Sequence, residues 1–271
     1  MTVLMGIVNV TPDSFSDGGQ FLDPEAAIAH GEELAAAGAA VLDVGGESTR
    51  PGAAEVSAEE EIERVVPVVT ALARAGHRVS VDTSKAAVAE RAIQAGAEIV
   101  NDVTALGDPD MAALCAEARC GLVLMHMKGT PRTMQDDPVY DDVVADVRAF
   151  LTDRMTAAIG AGVAESRIWL DPGIGFGKTV AHNLELIDRL GELRGLGRPV
   201  VLGASRKSFL GKLTGRDVED RLAGSLAAAV MGVARGADVL RVHDVAATRD
   251  AALVARSVLA RGIVAGEPAA G

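Results

Sequence analysis

Almost every apolar run in this sequence that could form a β-strand is followed by a hydrogen-bonding side chain. These side chains are Asn9, Asp43, Glu47, Asp82, Asn101, Asp102, His126, Asp171, Ser205, Lys207, Arg241 and His243. Any one of them could serve only as a cap for the helix that follows it. Their shared position, together with the mixture of carboxylates, amides and cations, predicts instead that they converge on one site.

Two kinds of chemistry are represented in this set. Acceptors and an amide that suit a flat heterocycle with several N–H groups are supplied by Asp82, Asn101 and Asp171. Donors and positive charge that suit a phosphate or a leaving anion are supplied by Lys207, Arg241 and His243. The combination predicts a protein that binds a phosphorylated heterocycle.

The glycine-rich segment at 173–179 does not match a nucleotide-binding motif. A P-loop needs glycine where the chain has Pro172, and the dinucleotide fingerprint needs glycine where it has Lys178. The sequence also contains no nucleophile elbow, HExxH motif or Cys/His zinc pattern. The segment therefore predicts a strand-to-helix loop whose Phe176 either faces a ligand or packs.

The elements that must position these residues alternate regularly along the chain. The predicted strands are Val3–Val10, Ala40–Val44, Arg78–Asp82, Glu98–Asp102, Leu122–His126, Arg167–Asp171, Pro199–Gly203 and Asp238–His243. The predicted helices are Pro24–Ala37, Ala58–Ala75, Lys85–Ala95, Pro109–Ala118, Asp141–Ala161, Val180–Leu193, Val218–Arg235 and Ala247–Arg261. Several helical patterns end in a glycine turn, at Gly38, Gly96 and Gly236, before the next strand.

Eight strand–helix pairs predict an α/β fold of the (β/α)8 TIM-barrel type. Continuous apolar strands favour a parallel sheet that is covered on both faces. A single catalytic domain is expected over residues 1–262, with a flexible tail at 263–271. An open, doubly wound sheet is the alternative, because periodicity does not reveal whether a sheet closes. In a barrel, the polar strand ends would form the active site.

Composition limits the class of protein and its partners. The 271 residues include 38 acidic and 26 basic side chains, a net charge of −12, which argues against non-specific nucleic-acid binding. The longest uncharged run, at 222–234, is too short for a membrane span. Cys115 and Cys120 are expected to be buried free thiols. Without a leader-like start, the chain is expected to be a soluble cytoplasmic protein.

Two long loops are rich in turn-forming residues and carry a resemblance to a known family. Their sequences, Asn9-Val-Thr-Pro-Asp-Ser-Phe-Ser-Asp-Gly-Gly19 and Asp43-Val-Gly-Gly-Glu-Ser-Thr-Arg-Pro-Gly52, resemble the two pterin-binding signatures of bacterial dihydropteroate synthases. The similarity continues at Asp82-Thr-Ser84, Asn101-Asp-Val103, Met125-His-Met-Lys-Gly-Thr-Pro131, Leu170-Asp-Pro-Gly-Ile-Gly-Phe-Gly177, Gly203-Ala-Ser-Arg-Lys-Ser-Phe209 and Arg241-Val-His-Asp244. One departure is Thr104-Ala-Leu106, where the family commonly has Ser-Gly-Gly or Ser-Gly-Leu; this should alter packing and not chemistry.

The resemblance implies a transferase of folate biosynthesis. Such an enzyme joins 6-hydroxymethyl-7,8-dihydropterin diphosphate to 4-aminobenzoate, releases diphosphate and forms 7,8-dihydropteroate by way of a pterin cation. The family is a target of sulfonamides. The resemblance also implies Mg²⁺ as cofactor, small-molecule substrates as partners and a homodimer.

Residue roles also follow from the resemblance alone. The implied pterin contacts are Asp82, Asn101, Met125, Asp171, Lys207 and Arg241. The implied 4-aminobenzoate contacts are Thr49, Arg50, Pro51, Phe176, Lys207 and Ser208. The implied diphosphate contacts are Asn9, Asp17, Arg50, Arg241 and His243, with Asn9 also on the metal. The implied catalytic residues are Asp82, Lys207, Arg241 and His243.

Two alternatives share much of this pattern. A non-catalytic paralogue would keep the pterin pocket only as a binding module. A methyltetrahydrofolate-binding methyltransferase would share the barrel and the Asp/Asn/Asp contacts. The segment Ser48-Thr49-Arg50-Pro51 favours the synthase, because a corrinoid partner has no use for it.

Overall fold

The computed structural model describes residues 2–11, 24–48, 54–130, 133–134 and 138–260. Over these ranges the chain forms eight strands and ten α-helices. The strands are β1 Val3–Asn9, β2 Val41–Gly45, β3 Val79–Asp82, β4 Ile99–Asp102, β5 Gly121–Met125, β6 Ile168–Asp171, β7 Val201–Leu202 and β8 Val239–Val242. The helices are α1 Pro24–Ala36, α2 Ala58–Arg74, α3 Ala86–Gln94, α4 Met111–Ala118, α5 Val143–Gly160, α6 Val180–Asp188, α7 Leu190–Arg194, α8 Ser208–Thr214, α9 Leu222–Arg235 and α10 Val245–Leu259.

The strands form one closed parallel barrel. Their order is β6-β5-β4-β3-β2-β1-β8-β7, and every pairing is parallel. The two ends of this order meet through a bridge between Leu170 and Val200, where the Leu170 N–H donates to the Pro199 carbonyl at 2.9 Å. The predicted TIM barrel is confirmed, and the open sheet is excluded.

Alternation along the strands divides the core into two layers. One face packs under the helices with residues such as Leu42, Val81 and Leu170. The other face fills the barrel interior with a cluster of Met5, Val41, Ile99, Val123, Val201 and Val239, against which Val3 and Trp169 pack. Aliphatic side chains dominate both layers, and fully burying each one contributes about 1.5–3 kcal/mol.

This interior row continues upward into the polar strand ends. Asp43, Asn101, Asp171 and Arg241 each follow a residue of the interior layer by two positions. Since strand side chains alternate with a period of two, the interior hydrophobic cluster is the floor of the polar mouth. Strand register then places the mouth residues level with one another: Asn9 pairs with Gly45, Gly45 with Asp82, and Asp82 with Asn101.

The glycine turns agree with the sequence predictions, and α2 begins with a side-chain cap. Gly38, Gly96 and Gly236 adopt φ angles of 110°, 114° and 103°, which a residue with a Cβ rarely adopts. At the start of α2, the Ser57 hydroxyl accepts the Glu60 N–H at 3.1 Å. Cys115 and Cys120 are buried free thiols, as expected. In the described part of the chain, no helix is both long and apolar enough to cross a bilayer.

Three helix predictions require correction. The predicted helix Val180–Leu193 is broken at Arg189 into α6 and α7. The predicted helix Val218–Arg235 begins at Leu222, after a short 3₁₀ turn at Val218–Asp220. The short helix α8 is absent from the predictions, because seven residues are too few to show a clear helical period. The predicted tail at 263–271 lies outside the described residues.

Candidate active site

Arg241 lies at the centre of the barrel mouth between the fully buried carboxylate of Asp43 and the partly buried carboxylate of Asp82. Its Nε donates to Asp43 Oδ2 at 2.6 Å, and its Nη2 donates to Asp82 Oδ2 at 2.6 Å. The Asn101 amide donates to the same Asp43 oxygen at 3.1 Å. Strands β2, β3, β4 and β8 thus bring their inward-facing ends together around one guanidinium.

Asp171 approaches the same centre from β6. Gly203, the residue after β7, lies between Asp171 and Arg241. A Cβ atom added to Gly203 would lie 3.8 Å from Arg241 Cβ on one side and 3.8 Å from Asp171 Oδ2 on the other. The other Asp171 oxygen accepts the Gly173 N–H at 2.7 Å. Met125 pairs with Asp171 in the β5–β6 register and lines the same level of the barrel. The structure therefore brings Asp82, Asn101, Met125, Asp171 and Arg241 together at one end of the barrel.

Asp43 is a site residue to which the resemblance assigned no contact. Its side chain is fully buried, and it is the shared acceptor for Arg241 and Asn101. Its Oδ1 has no hydrogen-bond partner among the described residues. The sequence could have indicated this role, because Asp43 lies at a strand end, on the face of β2 that points into the barrel.

Burial changes the acid–base character of the mouth. It raises the pKa of Asp82 to about 7, against the opposing attraction of Arg241. It also raises the pKa of Asp171, against the attraction of Lys207. Burial lowers the pKa of Lys207 to about 8, although Asp171 favours its cation. For Arg241 the neighbouring carboxylates outweigh burial and raise the pKa further, so it stays charged. Poorly solvated carboxylates of this kind stabilise a nearby cation strongly.

Lys207 reaches the mouth from the loop after β7. Its ammonium donates to the Ile174 carbonyl and lies 4.4 Å from the centroid of the Phe176 ring. The preceding residue, Arg206, has a left-handed φ of 56°. Arg206 is held there by a two-point ion pair with Asp244, at 3.0 and 2.6 Å. The loop that carries Lys207 is thereby fastened to the loop after β8.

His243 and Ser208 border this region. Ser205 Oγ accepts the His243 backbone N–H at 3.3 Å and lies 3.0 Å from His243 Nδ1. Since this hydroxyl already accepts one hydrogen bond, its own O–H is best used toward Nδ1, which leaves the ring proton on Nε2. Ser208 is the first residue of α8 and is exposed.

The glycine-rich loop packs tightly against its neighbours. Gly173, Gly175 and Gly177 have φ angles of 67°, 85° and 63°. A Cβ on Gly173 would lie 1.8 Å from the His126 carbonyl oxygen, and one on Gly177 would lie 2.5 Å from the Lys128 carbonyl oxygen. These glycines permit backbone contact with the segment after β5, which explains the motif without a nucleotide phosphate.

Two strand-end residues of the original set do not belong to the mouth. Asp102 bonds the hydroxyl of Thr104 and the backbone N–H groups of Thr104 and Leu106. His126 contacts Lys178 and the Phe150 ring. Both residues follow an inward-facing residue by one position, so period-two alternation directs them outward.

The second loop is anchored firmly at its first residues. Glu47 accepts from Lys85 Nζ at 2.7 Å and from the Val56 N–H at 3.0 Å. Lys85 also bonds the fully buried carboxylate of Glu61 at 2.6 Å. Thr49, Arg50 and Pro51, predicted to contact 4-aminobenzoate, and Asp17, predicted to contact diphosphate, lie outside the described residues.

Comparison with known proteins agrees with this geometry. The sequence model described as "Pterin binding enzyme" matches residues 5–243. Dihydropteroate synthase of Escherichia coli K12 is 47% identical over 257 residues, which cover 94% of this chain and 91% of that protein. The chain belongs to the dihydropteroate synthase family.

Solved structures of family members have the same fold. The Xanthomonas albilineans dihydropteroate synthase with 4-aminobenzoic acid matches with a TM-score of 0.90 and 52% identity, covering 96% of this chain and 93% of that chain. The Yersinia pestis enzyme in a sulfonamide drug complex matches with a TM-score of 0.92 and 45% identity, covering 96% and 94%. As a member of this family, the chain is a transferase of folate synthesis.

Proposed function

We propose that this chain joins 6-hydroxymethyl-7,8-dihydropterin diphosphate to 4-aminobenzoate, forming 7,8-dihydropteroate and diphosphate. The observation that carries the proposal is the cluster of Asp82, Asn101, Asp171 and Arg241 beside Lys207 in the barrel mouth. A Xanthomonas albilineans relative, 49% identical, has been solved in complex with 7,8-dihydropteroate.

Recognition of the pterin ring follows from the hydrogen-bonding groups at the mouth. A pterin presents several N–H donors along one edge, and the Asp171 carboxylate and Asn101 amide supply matching acceptors. Met125 supplies an apolar, adaptable surface for the ring. The planar guanidinium of Arg241 is suited to stacking on the face of the heterocycle.

The chemical step needs stabilisation of positive charge. When the bond to the diphosphate breaks, the pterin methylene carries a developing cation. Asp82 lies in the mouth with its charge poorly solvated, so it stabilises the transition state more than the ground state. The neutral aniline nitrogen of 4-aminobenzoate then attacks and loses a proton. This amine needs no strong base, because the cation is a reactive electrophile.

Departure of diphosphate is assisted by cationic and N–H groups. Arg241 offers several donors in a rigid fork, and His243 in the tautomer assigned above offers an Nε2–H. In the structure two Arg241 nitrogens bond to Asp43 and Asp82. We expect diphosphate to compete with Asp82 for this guanidinium, while Asp43 keeps it in place.

We also propose Mg²⁺ as a cofactor. No group of three or more His, Cys, Asp or Glu residues that could hold a metal occurs within the described ranges. Asn9 offers one carboxamide oxygen at the end of β1, which fits Mg²⁺ because this ion is often bound through substrate phosphates and few protein ligands. When bound, it would neutralise charge on the departing diphosphate.

The 4-aminobenzoate site is proposed on the side of Lys207 that faces Phe176. Phe176 supplies an aromatic surface, and the exposed hydroxyl of Ser208 at the start of α8 can hydrogen-bond a carboxylate. Thr49, Arg50 and Pro51 complete this site in the proposal. Sulfonamides that imitate 4-aminobenzoate are expected to compete there.

The decisive experiment is product formation by the purified chain. Both substrates are supplied with and without Mg²⁺, and dihydropteroate is measured chromatographically. We expect turnover that depends on Mg²⁺ and on both substrates. Pterin binding without any product would favour a non-catalytic pterin-binding protein, and methyl transfer from methyltetrahydrofolate would favour the methyltransferase.

We further propose a homodimer in the cytoplasm. Helices α9 and α10 together present an apolar groove of about 630 Å³ that is lined by residues such as Leu226, Val230 and Val258. Val254 and Val258, which line this groove on α10, are 63% and 72% exposed. Large apolar patches of this kind commonly mark protein interfaces.

A further inference from the structure

Lys178 is a buried lysine that has no role in the proposed mechanism. Only 3% of its surface is exposed. Its Nζ lies 2.9 Å from His126 Nδ1, 2.9 Å from the Phe176 carbonyl oxygen and 3.3 Å from the His126 carbonyl oxygen. The Nζ group therefore has three polar partners within hydrogen-bond distance.

This arrangement is costly and therefore calls for a reason. Burial, reinforced by the nearby Lys207, lowers the pKa of Lys178 well below its ordinary value. Burial likewise lowers the pKa of His126 to about 3, so its ring stays neutral and Nδ1 can accept. A buried polar group of this kind is tolerated only with full hydrogen bonding. A lysine that merely filled space here would be less favourable than an apolar side chain.

The acceptors of Lys178 belong to two loops that border the mouth. His126 directly follows Met125, at the end of β5, and Phe176 lies in the loop after β6. That second loop has positive φ angles at three glycines, which give it little side-chain packing of its own. Lys178 therefore fixes the backbone of Phe176 against the adjacent strand end.

Phe176 connects Lys178 to the proposed reaction site. Its ring covers the ammonium of Lys207, at 4.4 Å, while its own carbonyl is held by Lys178. Gly175, on its other side, is fixed by the Asn183 side chain at 2.7 Å. A shift of this loop would move the aromatic surface away from Lys207 without disturbing Asp82 or Asn101.

We propose that Lys178 is a positioning residue for the 4-aminobenzoate side of the site, acting through Phe176 and touching neither substrate. The proposal rests on the function proposed above. In this proposal, a residue that contacts neither substrate affects the binding of 4-aminobenzoate more than the binding of the pterin. A displacement of about 1 Å far from the chemistry is enough to cost much of the rate.

The first test is Lys178→Met, which keeps an unbranched side chain and removes the hydrogen bonds of Nζ. We expect KM for 4-aminobenzoate to rise about tenfold or more, while KM for the pterin diphosphate changes less than about threefold. Lys212→Met is the matched control, because Lys212 is an exposed lysine on α8. Equal changes in the two KM values would overturn the proposal.

The second test asks whether Lys178 acts through Phe176. In a Phe176→Ala background, Lys178→Met should change 4-aminobenzoate affinity little further, because the ring it positions is gone. Additive effects of the two substitutions would show that Lys178 acts by another route. The affinity for 4-aminobenzoate is measured by calorimetry with diphosphate and Mg²⁺ present. This measurement does not depend on turnover. If the unsubstituted chain showed no turnover, the proposed function would be contradicted, but the binding experiment could still be carried out.

If Lys178→Met does not fold, His126→Phe carries the same test. It removes the imidazole acceptor and keeps a ring against Phe150, whose centroid lies 4.9 Å away. We expect the same selective loss of 4-aminobenzoate affinity, smaller in size because two acceptors remain. Unchanged 4-aminobenzoate affinity in a folded His126→Phe protein would overturn the proposal.

Discussion

Asp82 and Lys207 are two partly buried residues whose pKa values are displaced toward each other. Asp82, with a pKa raised to about 7, loses its negative charge as the pH falls. Lys207, with a pKa lowered to about 8, loses its positive charge as the pH rises. Because the proposed step needs both charges, kcat/KM for the pterin substrate should be bell-shaped, falling below about pH 7 and above about pH 8.

Two variants would show which residue causes each limb of this pH profile. Asp82→Asn should have a much lower rate and should lose the acidic limb, because an amide does not titrate. Lys207→Arg should keep some activity and move the alkaline limb upward, because a guanidinium stays charged. The measurement is kcat/KM over the pH range for each variant, with Lys212→Arg as control. An alkaline limb that Lys207→Arg leaves in place would contradict the role of Lys207.

Asp171 should contribute more to ligand affinity than to stability. Its carboxylate faces the mouth, and Asp171→Ala removes a charge-assisted contact to the pterin, at a cost of about 2–4 kcal/mol of binding free energy. Asp171→Asn keeps an oxygen for the Gly173 N–H and separates that local bond from the effect on the ligand. Calorimetry with a pterin measures affinity, and thermal unfolding measures stability. Affinity within about threefold of the unsubstituted chain would refute this role.

At the scale of elements, the glycine-rich loop depends on backbone contact. Gly173→Ala combines a positive φ of 67° with a Cβ 1.8 Å from the His126 carbonyl oxygen. Gly197→Ala has a similar φ of 76° but open space around it. The second substitution should cost about 1–2 kcal/mol of unfolding free energy from the left-handed conformation alone.

Gly173→Ala should cost clearly more unfolding free energy than Gly197→Ala, because the loop must also move away from β5. Urea unfolding of both variants gives the comparison, and kcat/KM should fall only for Gly173→Ala. Equal losses of stability would show that the clash relaxes without consequence.

The anchor of the second loop makes another prediction at this scale. Lys85→Met leaves the fully buried Glu61 carboxylate without its cation. Removing one partner of a buried pair typically costs about 3–5 kcal/mol, and we expect the lower part of this range because Lys85 is partly exposed. It also frees Glu47 at the base of the loop, so 4-aminobenzoate affinity should fall as well.

The matched control is Arg235→Met, whose pair with Asp188 is exposed on both sides. It should change the unfolding free energy by less than about 1 kcal/mol. Adding Glu61→Gln to Lys85→Met should recover part of the loss, because it removes the unpaired charge. A loss no larger than that of the control would show that Glu61 relaxes to solvent.

For the whole molecule, the exposed face of α10 should determine the oligomeric state. Replacing Val254 and Val258 together by Glu puts charges into the apolar groove that both residues line. We expect sedimentation to show a dimer for the unsubstituted chain and a monomer for this variant. Leu184→Glu, at an exposed position on α6, is the control and should remain dimeric. A monomeric unsubstituted chain would contradict the proposed dimer.

Much of this molecule was determined by local sequence pattern. The eight apolar runs and their glycine turns gave the number and order of the strands, because strand and turn propensities act over a few residues. The period of two, applied strictly, separates the inward-facing Asp43 and Asn101 from the outward-facing Asp102 and His126. The pterin-binding signatures then indicated the chemistry of the mouth, because their residue types and spacing are specific.

Tertiary structure alone decided the features that depend on distant partners. Closure of the barrel needs β6 and β7 to meet. Arg241 is paired with Asp43, 198 residues away in the sequence. The helix predicted at Val180–Leu193 breaks at Arg189, whose guanidinium is bound by Asp142. The burial of Lys178 against His126, 52 residues away in the sequence, has no local signal either. In each case the deciding contact joins residues whose proximity is set by packing of the whole barrel, and a local pattern carries no information about it.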